Sequence, residues 1–246
     1  MDGGFFCLHV MAKKIIAIDG PAASGKSTTA KLVAQKLGFV YLDTGAMYRA
    51  ITLKALENGV DVNDEEKLKE LTKNSVITFE NKDGVNRIWL DGKDVTEKIR
   101  GLQVDRNVSY VSMHKKVRRA LVEMQKRMGE ENDLVAEGRD TTTVVFPHAF
   151  KVYLDADVKE RAKRRLLELE EKGMQTTFEE QIEEISRRDK LDSEREQSPL
   201  FRDKDAVVVD TTNLTIEQQV DRVIQLFRQE AEANIKTRNK FTSPSP

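Results

Sequence analysis

The chain alternates short apolar runs with longer stretches in which apolar residues recur every three or four positions. Five runs stand out: KIIAID at 14–19, FVYLD at 39–43, DLVAEG at 133–138, KVYLDAD at 151–157 and AVVVD at 206–210. Continuous apolar runs, rather than apolar-polar alternation, suit strands buried on both faces of a parallel sheet. Several end in an acidic residue, which sets carboxylates at the carboxyl edge of the sheet, where open α/β folds bind ligands. Helical spacing is clear at 28–37 (Leu32, Val33, Leu37), at 112–128 (Val117, Leu121, Met124, Met128) and at 216–230 (Ile216, Val220, Val223, Leu226, Phe227). Strands alternating with helices predict right-handed β-α-β units in a layered α/β fold. The rhythm fails at 75–95, SVITFENKDGVNRIWLDGKDV, which reads as antiparallel strands about a turn at 82–84. Residues 63–105 are therefore expected to form an insertion on the core.

Composition adds mainly exclusions. With 41 basic and 42 acidic side chains the net charge is −1, so no chain-wide basic surface can drive counterion release from nucleic acid, and any anion site must be local. The single cysteine, Cys7, forms no internal disulfide, and His9, His114 and His148 have no metal-ligand spacing; a reducing cytoplasm is the expected location. No apolar run approaches the roughly 20 residues that span a bilayer. The opening MDGGFFCLHV lacks the basic region and long apolar core of a signal peptide, so residues 1–12 are expected to be a leader outside the fold. The closing NIKTRNKFTSPSP, 235–246 in the main, is expected to be a mobile tail.

The most specific chemistry lies between the first run and the first helix. Gly20-Pro21-Ala22-Ala23-Ser24-Gly25-Lys26-Ser27 fits G-x-x-x-x-G-K-[ST], with Thr28 opening the helical stretch. Glycines let successive backbone N–H groups turn toward phosphate oxygens, and the helix amino terminus adds partial positive charge. Lys26 can bridge the β- and γ-phosphates, and the Ser27 hydroxyl can ligate a Mg2+ ion. A Gly-rich turn bearing a solvated lysine is the bland alternative, but strand, loop and helix fall in register. A GTP switch would carry an N-K-x-D guanine reader; Asn81-Lys82-Asp83-Gly84 has its aspartate misplaced and reads as a turn.

A kinase needs a second anion site facing the loop, with arginines offsetting the repulsion between two phosphorylated substrates. Three segments qualify. Asp43 ends the second run with Arg49 six residues on; Glu137-Gly138-Arg139-Asp140 closes the third; and Arg188, Asp192 and Arg195 are spaced to share one helical face. Each has an ordinary reading beside the functional one: a surface ion pair for Arg49, a turn cap for Arg139 and Asp140, a solvated helix face for the triad.

GPAASGKST, LDTGAMYR, EGRDTTTVVFP and RRDKLDSER, in this order and separation, resemble the bacterial cytidylate kinases over about residues 13–230, with GRDTTTVVFP the most distinctive block. The resemblance implies a P-loop NTPase-type three-layer α/β fold: core at 13–62, 106–156 and 188–234, a monophosphate-binding insertion at 63–105, and a short lid at 157–187. It implies in-line transfer of the ATP γ-phosphoryl to CMP or dCMP with Mg2+, by a monomer with no nucleic-acid or membrane partner. In that pattern Arg49, Arg139 and Arg195 hold the acceptor phosphate, Ser109, Arg118 and Asp140 read cytosine, Arg188 and Asp192 hold the sugar hydroxyls, and Asp43 lies near the metal. Lys26, Asp43, Arg139 and Arg195 would carry catalysis. Arg161, Arg164 or Arg165 of the lid would close over ATP. Two departures are visible: Thr44, on the acceptor side, stands where serine is also common, and Thr141-Thr142 where some members have Met-Gly; both are expected to retune affinity at most. A P-loop kinase for another small acceptor, or a switch without phosphoryl transfer, are the competing readings.

Overall fold

The computed structural model describes residues 13–82, 85–171 and 173–242. The leader expected at 1–12 lies outside them. In chain order the elements are β1 (Ile15–Asp19), α1 (Lys26–Leu37), β2 (Val40–Asp43), α2 (Thr44–Glu57), α3 (Glu65–Lys73), β3 (Ile77–Lys82), β4 (Val85–Leu90), β5 (Lys93–Asp94), α4 (Leu102–Met113), α5 (Lys115–Glu131), β6 (Leu134–Gly138), β7 (Phe150–Asp155), α6 (Val158–Glu171), α7 (Phe178–Glu194), β8 (Val207–Asp210) and α8 (Ile216–Thr242).

All five apolar runs become strands of one parallel sheet in the order β2-β6-β1-β7-β8. Its two faces have separate cores. Ile16, Ile18, Val152 and Leu154 pack with Val33 of α1 and Val220 and Val223 of α8, while Ala17, Leu42, Leu134 and Ala136 pack with Met47 and Ile51 of α2 and with Val117 and Leu121 of α5. The alternation of Ile16 and Ile18 with Ala17 along β1 is the period-2 geometry of a strand dividing its side chains between two helical layers. Fully burying a Leu or Ile of this kind contributes about 1.5–3 kcal/mol. After β1 the chain moves to one side of the sheet for β2, and after β6 it crosses β1 to reach β7. The strand order therefore reverses at β1, and the cleft at its carboxyl end is the expected ligand site.

The irregular region forms a separate antiparallel sheet, β3-β4-β5, inside the predicted insertion. Pairing reaches Lys82 opposite Val85; Asp83 and Gly84, in the predicted turn, lie outside the described residues. Three expectations change. The helix predicted at 112–128 begins at Lys115, because His114 is extended (φ −68°, ψ 119°) and its Nε2 bonds the Val62 carbonyl at 2.8 Å. Helix α2 occupies a stretch in which no helix was predicted. The segment expected as a tail from 235 is helical as far as Thr242, and no glycine or proline interrupts 216–242. Among the described residues, no helix is long and apolar enough to cross a membrane.

Candidate active site

The P-loop leaves β1 under a hard steric constraint. A Cβ on Gly20 would sit 2.1 Å from the Leu154 carbonyl oxygen of β7, so only glycine lets the chain turn there. Ala23 (φ 58°) and Gly25 (φ 87°) take left-handed conformations as the loop wraps into α1. Lys26, 5% exposed, reaches back to the Pro21 carbonyl at 3.0 Å. Burial, then the positive charge of Arg139 and, more weakly, of Arg188, pushes its ammonium down to about 7, against the pull of Glu137 and Asp192. The Ser24 hydroxyl is buried with no hydrogen-bond partner. Thr28 is exposed on the first turn of α1.

Beside the loop, Ser27 Oγ donates to Glu137 Oε1 at 2.6 Å, and Tyr41 OH donates to the same oxygen at 3.1 Å. Asp43 and Glu137 are register partners on adjacent strands. Burial and then the neighbouring Glu137 charge raise Asp43 to about 6, although its Oδ1 caps α2 through the Ala46 N–H at 2.9 Å. A hydroxyl flanked by two crowded carboxylates is a hard-oxygen corner that fits a divalent cation. Among the described residues no cluster of three or more His, Cys, Asp or Glu could hold a metal alone, so Mg2+ here would need phosphate oxygens as well. Glu137 was quoted from the sequence but given no role; its position at a strand end was the available signal.

The predicted acceptor residues converge from several elements. Arg118 of α5, buried beneath the Tyr48 ring (5.2 Å to its centroid), pairs with Asp140 Oδ2 at 2.5 Å and donates to the Ser112 carbonyl at 3.1 Å. Ser109, half-buried on α4, accepts from Ser112 Oγ through its carbonyl at 2.9 Å. Arg139 Nε donates to Asp192 Oδ2 at 2.7 Å. Arg49 pairs with Asp105 and donates to the Ile99 carbonyl at 3.3 Å. Arg188 is pushed down to about 10 by burial and then by Arg139. Two donors in this group, Arg118 Nε and Arg195 Nη2, are buried without partners. The triad geometry differs from expectation: α7 ends at Glu194, and Arg195 follows in an extended conformation, its Nε donating to the Ser198 carbonyl at 2.7 Å. Its Nη1 still lies 3.8 Å from Asp192. Thr44 Oγ1 donates to the Glu137 carbonyl at 2.7 Å and packs where a Cβ on Gly138 would fall, 2.4 Å away.

The loop bearing Arg139 and Asp140 is tied directly to the P-loop strand. Asp19, the wholly buried last residue of β1, accepts the N–H and hydroxyl of Thr141 at 3.0 and 2.6 Å and those of Thr142 at 2.8 and 2.6 Å. The two threonines thus have a structural task that the sequence reading did not give them.

In the lid, the structure separates the three arginines. Arg161 is buried, its Nη1 donating to the Ala22 carbonyl at 2.9 Å and pairing with Asp189 at 2.5 Å. Arg164 donates to the Thr211 carbonyl at 2.6 Å and pairs with Glu160 at 3.4 Å. Arg165 instead pairs with Glu168 at 2.8 Å, one helical turn on. Arg161 and Arg164 thus bond the P-loop and the chain after β8, while Arg165 bonds within its own helix. A groove of about 620 Å³ between β8 and α8, lined by Val208, Leu214, Gln218 and Arg222 among others, contains none of the predicted site residues.

A family model described as cytidylate kinase matches residues 16–229. The chain belongs to the cytidylate kinase family. It is 50% identical over 224 residues to the cytidylate kinase of Bacillus subtilis (strain 168), covering 90% of this chain and 100% of that protein. It is 47% identical over 215 residues to that of Clostridioides difficile (strain 630), covering 87% and 98%. A solved structure of an uncharacterized protein from Eubacterium ventriosum ATCC 27560 shares the fold alone, at 13% identity and a TM-score of 0.50, covering 88% of this chain and 99% of that one. Membership in this family makes the protein a nucleoside monophosphate kinase, and the switch reading falls.

Proposed function

We propose that the protein transfers the γ-phosphoryl group of ATP to CMP or dCMP, giving ADP and CDP or dCDP, a step of pyrimidine nucleotide metabolism. The observation that carries this reading is the burial of Lys26, Arg139 and Arg188 around Asp192 and Glu137, where burial and then the Arg139 charge lower Lys26 and Arg188, with two further arginine donors, Arg118 Nε and Arg195 Nη2, buried and unsatisfied. Such a cation cluster is costly alone and complementary to two facing phosphates.

The acceptor phosphate oxygen attacks the γ-phosphorus as the bond to the β,γ-bridging oxygen breaks, and ADP leaves with that electron pair. The acceptor phosphate is already largely ionised at neutral pH, so no general base is needed. Lys26, whose ammonium bonds the Pro21 carbonyl and lies within the field of Arg139, would meet the charge that develops on the transferring group. Arg139 and Arg195, with Arg49 farther out, align the acceptor phosphate. Asp140 accepts from the cytosine amino group through the edge that Arg118 leaves open, and Arg118 Nε donates to the ring acceptors. Uracil reverses one of these groups and would leave buried partners unpaired. Ser27 and the Asp43–Glu137 corner, together with the phosphates, would hold Mg2+, which would supply charge neutralisation.

ADP release measured across CMP, dCMP, UMP and AMP tests the reading. CMP and dCMP should give the highest kcat/KM. Equal or better turnover of AMP or UMP would overturn the assignment of Asp140 and Arg118 to the base.

A further inference from the structure

The P-loop and the acceptor arginines sit on different elements, and one side chain assigned to neither set joins them. Asp189 lies on α7 between Arg188 and Asp192. Its Oδ1 accepts the Ala22 N–H at 2.9 Å, while its Oδ2 pairs with Arg161 Nη1 at 2.5 Å. That guanidinium also donates to the Ala22 carbonyl at 2.9 Å and, through Nε, to the Ala156 carbonyl at 3.0 Å. Both polar backbone groups of Ala22, in the middle of the phosphate loop, are therefore held by a single ion pair spanning α6 and α7.

Three residues farther along the same helix, Asp192 holds Arg139 at 2.7 Å. A regular helix rises about 1.5 Å per residue, so the two carboxylates lie less than a turn apart on one stiff rod. One grips the donor loop; the other grips an acceptor arginine. Asp189 occupies the Ala22 N–H, so this amide is not directed at a nucleotide, and the carboxylate's contribution is to fix one element against another. An ATP phosphate that orders the loop at 20–27 thereby favours the placement of α7 in which Asp192 and Arg139 are set for the acceptor.

We propose that Asp189 is a positioning residue that makes the binding of the two nucleotides mutually dependent, by locking the P-loop to the acceptor-binding helix. This rests on the CMP kinase reading. Linkage requires the effect to be reciprocal: whatever factor a bound ATP analogue adds to CMP affinity, CMP adds to the analogue's.

The test is calorimetric titration of the full chain with CMP, alone and with a saturating non-hydrolysable ATP analogue plus Mg2+, and the reverse titration. In the unaltered protein each nucleotide should tighten the other by about fivefold or more. Asp189→Ala should bring that ratio to within about twofold of one, each nucleotide alone binding within a few fold of normal. Asp189→Asn keeps an acceptor for the Ala22 N–H but loses the charge facing Arg161, and should retain part of the coupling. Lys190→Ala, a charge deletion on the exposed face of the same helix, should retain all of it. Thermal melts identify correctly folded variants, and the asparagine variant stands in should the alanine variant not fold. Absence of coupling in the unaltered protein, or full coupling in a folded D189A or D189N variant, overturns the proposal. Failure of the underlying reading would show separately, as absence of CMP turnover in the unaltered protein.

Discussion

The donor and acceptor halves of the cleft are built by opposite means. The donor half is one contiguous loop, and its shape comes from backbone: the close approach of Gly20 to Leu154, the left-handed Ala23 and Gly25, and the start of α1. The acceptor half is built from side chains on α2, α4, α5, the loop after β6, and α7 with the chain beyond it. Most of its arginines are paired with carboxylates: Arg49 with Asp105, Arg118 with Asp140, Arg139 with Asp192. Triphosphates look alike at the phosphate end, so a backbone cradle suffices for them. Choosing one base among several needs donors and acceptors of fixed direction, which buried side chains provide here.

Substitutions can break this contrast or sharpen it. Lys26→Met removes the loop's own side-chain charge, and kcat should fall by about 10²- to 10³-fold with the fold retained. Steady-state kinetics beside a melting curve check this, and near-normal turnover would remove the loop from the chemistry. Arg118→Met should cost about ten- to a hundredfold in kcat/KM for CMP, the worth of a hydrogen bond to a charged group, with the KM for ATP changing less than about twofold. It also strips Asp140 of its buried cation, so a lower Tm should accompany it. Equal losses for both nucleotides would mean that the two halves are not separable.

A subtler difference lies in protons. Free Lys26, held near 7, is mostly neutral at pH 8. Phosphates favour its charged form, so ATP binding at that pH should take up a proton, and ATP affinity should fall as pH rises from 7 toward 10, by at most about tenfold per pH unit. Calorimetry in buffers of different ionisation enthalpy reads the uptake directly, and Lys26→Met should abolish it. The smallest effect belongs to Arg165→Ala: an exposed pair with Glu168 is worth below about 1 kcal/mol, and turnover should change less than about twofold. A larger loss would show that the lid moves Arg165 onto ATP.

The same contrast governs what could be read in advance. The donor half was legible because its chemistry is local: a loop of fixed spacing between a strand and a helix carries its own geometry. The five core strands were legible because each is a continuous apolar run, even at the sheet edges, where Val40 of β2 and Val208 of β8 are exposed. Helix α2 was not, for a related reason. Thr44, Ala46, Met47, Tyr48, Ala50, Ile51, Leu53 and Ala55 are all buried, so no polar stripe marks a helical period. The acceptor arginines were found as residues, but their partners are set by tertiary folding: Asp105 and Arg49 are 56 positions apart, Asp192 and Arg139 53. The clasp of Asp19 on Thr141 and Thr142, more than 120 positions away, left no trace in local spacing. The break at His114 likewise depends on a carbonyl 52 residues distant.

The pairing of acceptor arginines with the protein's own carboxylates also bears on competition among anions. A cell holds abundant inorganic phosphate and many nucleotides, and an unguarded cluster of guanidinium groups would take up whichever arrived. Here an incoming phosphate must contend with Asp192 for Arg139 and with Asp105 for Arg49 before it gains anything. A lone phosphate ion brings only its own charge to that contest. A nucleotide brings a base and a sugar as well, and only the combination offsets the lost internal pairs. The internal carboxylates thus raise the cost of entry for any lone anion relative to one that brings further contacts.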